Sequence, residues 1–206
     1  MKVAVSILKL FASEEETIAK INDTDADYLH IDVTDGSFVP GCTPKREFLH
    51  TSKKPLNVHL MVSRPFDYIV MYKELGAESI TIQCELEDDL RGILSYIKSL
   101  GMKCGLALKP ETPVSLLDEY FDLLDEVLIL CVHPGVGGQK MIADTLDKIP
   151  ELASIRNEGN YKFEIFVDGG ITDETVSLAK GADAVVAGTF ICQSEDFQTQ
   201  IDKLRL

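Results

Sequence analysis

Four residues of this chain have types and spacing that could do chemistry: His30 and Asp32 in YLHIDVTDG, His59 in LNVHLMV, and Asp168 in EIFVDGG. Each lies at the end of a short run rich in Val, Ile and Leu that reads as a buried strand. His30 and Asp32 are two residues apart, so on a strand they point to the same side. A lone buried histidine is more often a satisfied structural one. Two imidazoles and two carboxylates at the ends of three strands instead point to a divalent-metal site, and the carboxylates could also move protons. Mixed imidazole and carboxylate ligation suits zinc, and also iron(II), manganese or cobalt.

A second set of residues could hold an anion. HPGVGGQK (133–140), VDGG (167–170) and VAGTF (186–190) follow three successive strand-like runs. Glycines punctuate any strand–loop junction, so one such motif says little. Three in succession are more specific, because their backbone amides can converge on a phosphate. Gln139 could add a side-chain amide, whereas Lys140 reads as a solvated residue at the start of the next helix. Asp35, followed by Gly36, reads as a turn residue and not as a catalytic one.

These groups need elements to position them. Strand-like runs fall at about 3–8, 27–33, 56–62, 78–83, 103–108, 126–132, 162–167 and 183–187. Ser13 with Glu16 three residues on reads as a capping box opening the first helix. Further helical patterns fall at about 66–75, 87–100, 113–119, 140–157, 173–180 and 195–204. The GSFVPGCTP stretch reads as a long loop with a short helix behind it. Strand–helix alternation of this kind predicts an α/β protein, a (β/α)8 TIM barrel, with a doubly wound sheet as the alternative. In a barrel the four polar residues and the glycine motifs would share the C-terminal rim, where barrel enzymes place their active sites. With no linker or low-complexity stretch, residues 1–206 read as a single catalytic domain.

Composition narrows the partners. Of 206 residues 34 are acidic and 20 basic, a net charge of −14 that argues against nucleic acid and anionic membrane. Phosphate binding in such a chain should lean on glycine amides more than on arginines. The five cysteines (Cys42, Cys84, Cys104, Cys131 and Cys192) form no C-x-x-C pair and read as reduced thiols of a cytoplasmic protein. The N-terminal MKVAVSILKLF reads as a first strand, not as a leader or membrane anchor.

The stretches ADYLHIDVTDGSFVP, PLNVHLMVSRP, GLALKPETP, HPGVGGQKM, VDGGIT and GADAVVAGT, spread from residue 26 to 189, resemble the ribulose-phosphate 3-epimerase family in order and rough spacing. The resemblance implies a metal-dependent (β/α)8 barrel that interconverts D-ribulose 5-phosphate and D-xylulose 5-phosphate by inverting C3. It makes His30, Asp32, His59 and Asp168 the metal ligands, and Asp32 and Asp168 the two acid–base residues. Ser6 in VSIL falls where the family has a substrate-contacting serine. Gly135, Val136, Gly137, Gly138, Gly169, Gly170, Gly188 and Thr189 match its phosphate and substrate loops, with His59 also facing substrate. A homo-oligomer is implied as well.

The chain departs from that family pattern around the quartet. VMDG becomes VTDG, with Thr34 in place of a methionine. Leu130 replaces the methionine of strand six, Val136 a phenylalanine, and Gln83 a histidine near the end of strand four. The N-terminal LSAD stretch reads Leu8-Lys9-Leu10-Phe11, and Ser37 and Gly41 stand where a histidine and an asparagine are usual. These changes leave room for a sibling 3-epimerase acting on a hexulose phosphate such as allulose 6-phosphate. A non-catalytic sugar-phosphate-binding barrel is the remaining alternative, and it would have no need of two opposed carboxylates.

Overall fold

Eight strands form where the apolar runs predict them: β1 Lys2–Ser6, β2 Tyr28–Thr34, β3 Leu56–Met61, β4 Ala77–Gln83, β5 Lys103–Leu108, β6 Glu126–Leu130, β7 Glu164–Asp168 and β8 Ala184–Ala187. The structure, a computed structural model, describes residues 1–135 and 137–205. The strands pair in chain order, each parallel to the next, and β8 pairs with β1 to close a barrel. Closure excludes the doubly wound sheet.

The connecting helices among the described residues are α1 Glu14–Asn22, α2 Phe66–Glu74, α3 Leu90–Ser99, α4 Lys148–Glu158, α5 Thr189–Cys192 and α6 Phe197–Leu204. Ser13 caps α1 by accepting from the Glu16 amide at 3.2 Å, while the Glu16 carboxylate pairs with Lys20. The segments expected as helices near 113–119 and 173–180 shorten to single 3-10 turns, Val114–Leu117 and Val176–Ala179. Each buries only two residues, spaced i, i+3, which a 3-10 turn stacks directly. The helix expected from 140 starts later, with a 3-10 turn at Ala143–Asp147 running into α4. The delay has a cause: the Ile142 amide donates to the Cys131 carbonyl at 2.7 Å, tying this segment back to the end of β6.

Strand alternation divides the core. Outward residues such as Leu29, Ile31, Val58, Leu60, Ile80 and Ile82 pack under the helices in the larger apolar cluster. Inside the barrel, Ala4, Tyr28, Ala107, Leu128, Leu130, Phe166, Ala184 and Val186 form a smaller apolar cluster. The β2–β4 side of the interior is polar instead: His30, Asp32, Asn57, His59, Ser79, Thr81 and Gln83 are all buried. Buried polar groups at this density must satisfy one another or hold a ligand. No helix among the described residues is long and apolar enough to cross a membrane.

Candidate active site

The parallel register assembles the quartet. Asp32 on β2 lies beside His59 on β3, and Ser6 on β1 lies beside His30. Asp168 ends β7 between Leu130 and Val186. One ligand atom from each of His30, Asp32, His59 and Asp168 can be chosen so that all four lie within 4.8 Å of one another. His30 Nε2 and His59 Nδ1 both face Asp32 Oδ1, at 3.3 and 3.2 Å, and Ser6 Oγ donates to Asp32 Oδ2 at 2.9 Å.

Each histidine has its other nitrogen against an amide side chain. His30 Nδ1 meets Asn57 Oδ1 at 2.5 Å, and His59 Nε2 meets the Gln83 amide nitrogen at 2.7 Å. The Asn57 oxygen can only accept, so His30 Nδ1 carries the proton and Nε2 is free to ligate a metal. Gln83 Oε1 is buried without a hydrogen-bond partner. A half-turn of this amide would let the oxygen accept from His59 Nε2–H and free Nδ1 for a metal in the same way. An orphaned buried acceptor beside a histidine, together with two imidazoles and two carboxylates converging, fits a divalent cation.

The charges of the cluster are uneven. Burial disfavours the ionised form of Asp32, but His30 and His59 outweigh it and hold this carboxyl well below the usual range. Burial likewise disfavours the charged His30, yet the Asp32 carboxylate prevails and lifts the imidazole to about 9. Asp168 goes the other way: burial, reinforced by the Asp32 charge, pushes it up to about 7.

The quartet opens into a cavity of about 210 Å³, lined by Asp32, His59 and Asp168 together with Ser6. His30 is fully buried beneath it. Three of the glycine motifs reach the same cavity: Gly135, Gly137 and Gly138 after β6, Gly169 and Gly170 after β7, and Gly188 with Thr189 after β8. Val136 lies outside the described residues. Gly188 has to be glycine, since a Cβ there would sit 2.9 Å from the Ser6 carbonyl oxygen. Gln139 lines the cavity and donates to the His133 carbonyl at 2.6 Å, and Lys140 is exposed but precedes the helix instead of starting it. Lys9 is the only lysine or arginine among the described residues of the lining.

Not every departure from the family pattern reaches this cavity. Leu130, Leu8 and Lys9 line it, whereas Gln83 touches it only through His59. Thr34 belongs to a separate groove beside α2, where its hydroxyl meets Thr43 Oγ1 at 3.1 Å. Asp35 is a turn residue: its Oδ1 accepts from the Ser37 and Phe38 amides and its Oδ2 from Ser63, around Gly36 at φ +78°. All five cysteines are free thiols, four of them buried.

One buried acid escapes the sequence reading. Glu126, at the start of β6, is 4% exposed and reaches across the barrel interior to Asn57 and Thr81. The available signal was the alternation of polar residues in LNVH and SITIQ, which continues the inward face of His30 and Asp32 onto β3 and β4.

Comparison with known proteins agrees with the geometry. A family model described as the ribulose-phosphate 3 epimerase family matches residues 2–192. The ribulose-phosphate 3-epimerase of Bacillus subtilis (strain 168) is 38% identical over 213 aligned residues, covering 100% of this chain and 98% of that protein. The enzyme of the same name from Escherichia coli (strain K12) is 38% identical over 212, covering 98% and 94%. Among solved structures, 3-hexulose-6-phosphate synthase from Salmonella typhimurium superposes with a TM-score of 0.68 at 19% identity, covering 99% of this chain and 96% of that one. KGPDC from Streptococcus mutans gives 0.72 at 12%, covering 98% and 94%. At such identities these two likenesses speak for the barrel alone. The chain belongs to the ribulose-phosphate 3-epimerase family and is an isomerase.

Proposed function

We propose that the chain is a metal-dependent ketose-phosphate 3-epimerase that interconverts D-ribulose 5-phosphate and D-xylulose 5-phosphate. The observation that carries this reading is geometric: two carboxyl groups, Asp32 on β2 and Asp168 on β7, converge with two imidazoles in one cluster at the wall of a single cavity. Inverting a carbon next to a carbonyl needs one group to take a proton and another to return one on the opposite face. The C3 hydrogen of the ketose is acidic because its loss leaves an enediolate. Asp32 is the base in one direction and Asp168 the acid, and the reverse reaction starts with the proton exchanged between them.

His30, Asp32, His59 and Asp168 would hold the divalent ion, for which we favour zinc over iron(II), manganese and cobalt. Bound there, it would act as a Lewis acid toward the negative charge that develops on the substrate. Ser6 keeps Asp32 oriented through its 2.9 Å hydrogen bond. Met61 and Leu130 give the cavity apolar walls that limit water near the reacting carbon. The backbone amides of Gly135, Gly137, Gly138, Gly169, Gly170, Gly188 and Thr189 are our candidates for the phosphate, with Lys9 at the rim. Our reading extends to one catalytic domain over 1–206, a homo-oligomer, a cytoplasmic location and no nucleic-acid partner.

Leu130 and Lys9 in the cavity lining favour one second reading, a sibling enzyme for a hexulose phosphate. Turnover measured side by side on ribulose 5-phosphate and allulose 6-phosphate separates the two. Faster conversion of the pentulose is expected. Conversion of the hexulose alone would favour the sibling, and failure with every ketose phosphate would overturn both.

A further inference from the structure

Glu126 is a buried carboxylate that the proton-transfer scheme does not use. It starts β6, on the far side of β5 from the polar strands, and its side chain crosses over Gly105 to reach them. Gly105 provides the passage: a Cβ there would lie 2.5 Å from Thr81 Oγ1 and 2.7 Å from Glu126 Cγ. Beyond it, Asn57 Nδ2 donates to both carboxylate oxygens, at 3.0 and 2.9 Å, and Thr81 Oγ1 donates to Oε1. Asn57 Nδ2 also meets Ser79 Oγ at 2.6 Å.

These contacts fix which way the Asn57 amide faces. Its nitrogen is held among acceptors, so its oxygen must point the other way, to His30 Nδ1 at 2.5 Å. With Nδ1–H committed to that oxygen, His30 presents Nε2 toward Asp32. We propose that Glu126 is a positioning residue for the metal centre, acting through Asn57 to hold His30 in the tautomer and orientation that ligate the ion. The inference rests on the metal reading of the quartet. It assigns Glu126 no contact with substrate. It also accounts for an acid buried inside a barrel where an apolar residue would pack without cost.

The test compares zinc affinity, by competition with a chromogenic chelator, in the unaltered protein, Glu126→Gln and Glu126→Met. The isosteric amide keeps one acceptor oxygen and should weaken zinc severalfold. Methionine keeps none, and the loss should be on the order of 10–100-fold, as for other groups that orient metal-binding histidines. If the methionine variant does not fold, the glutamine variant decides alone. A second readout follows the His30 Nδ1–H resonance in 15N-histidine spectra of the metal-free protein, which should be slow to exchange and lost or broadened in the variants. Unchanged zinc affinity and an unchanged Nδ1–H signal in folded variants would overturn the proposal. If the unaltered protein took up no zinc, the metal reading would fail, and the Nδ1–H comparison would still decide whether Glu126 positions His30.

Discussion

Asp32 and Asp168 enter one cluster from β2 and β7, three strands apart around the closed barrel, Asp32 buried and Asp168 half-buried, and in the metal-free protein their surroundings favour opposite charge states. The two histidines sit against Asp32, while Asp168 has burial and the Asp32 charge against it. In the metal-free protein a proton shared by the pair therefore favours Asp168, the arrangement that the proposed two-base inversion would start from.

Replacing either acid should remove the proton transfer. Asp32→Asn and Asp168→Asn should each lower turnover by about 10²–10⁴-fold, the range of a general acid or base. Near-normal turnover in either variant, measured by NMR of the product, would contradict the scheme.

The same asymmetry gives a pH signature in the metal-free protein. The folded state holds the Asp168 proton more tightly than the unfolded chain, with a pKa of about 7 against 3.8. Its contribution to stability is therefore present below 3.8 and is lost as pH rises toward about 7. Asp168→Asn loses nothing in this window. Its melting temperature in chelator should gain on that of the unaltered protein as pH rises through the window and then level off. A difference independent of pH would contradict the raised pKa.

The histidine at the cavity wall should matter chiefly for the metal. His59→Ala removes one of the four proposed ligand groups and should lower zinc affinity by at least on the order of tenfold while leaving a folded barrel. Equal affinity in a chelator competition would remove His59 from the ligand set.

Much of this site was legible in the residues themselves. The apolar runs ending in His30, Asp32, His59 and Asp168 located the strands, and their inward side followed from the i, i+2 spacing of His30 and Asp32. Helix boundaries were harder. Nothing local in the 140–142 segment announces that Ile142 will bond back to Cys131, a contact made only once β6 is in place. The surroundings of Thr34 were equally silent: it is the last residue of β2, and its hydroxyl meets Thr43 Oγ1 at the edge of another groove, a contact made by a residue nine positions on. Glu126 was hidden because EVLIL looks like any strand start, and its partners lie two and three strands away.

The passage over Gly105 gives a stability prediction. Gly105→Ala would force a Cβ against Thr81 and Glu126, as an overpacked interior does, at a cost of about 1–3 kcal/mol. Urea unfolding measures it. A neutral change would show that Glu126 has another route to Asn57.

Exchange of the C3 hydrogen with solvent tests the central claim most directly. In D2O, with zinc restored after chelation, ribulose 5-phosphate should gain deuterium at C3 in the xylulose 5-phosphate formed, and chelator should suppress it. Conversion without deuterium entering at C3, or no exchange with any ketose phosphate under these conditions, would contradict proton transfer between Asp32, Asp168 and the substrate.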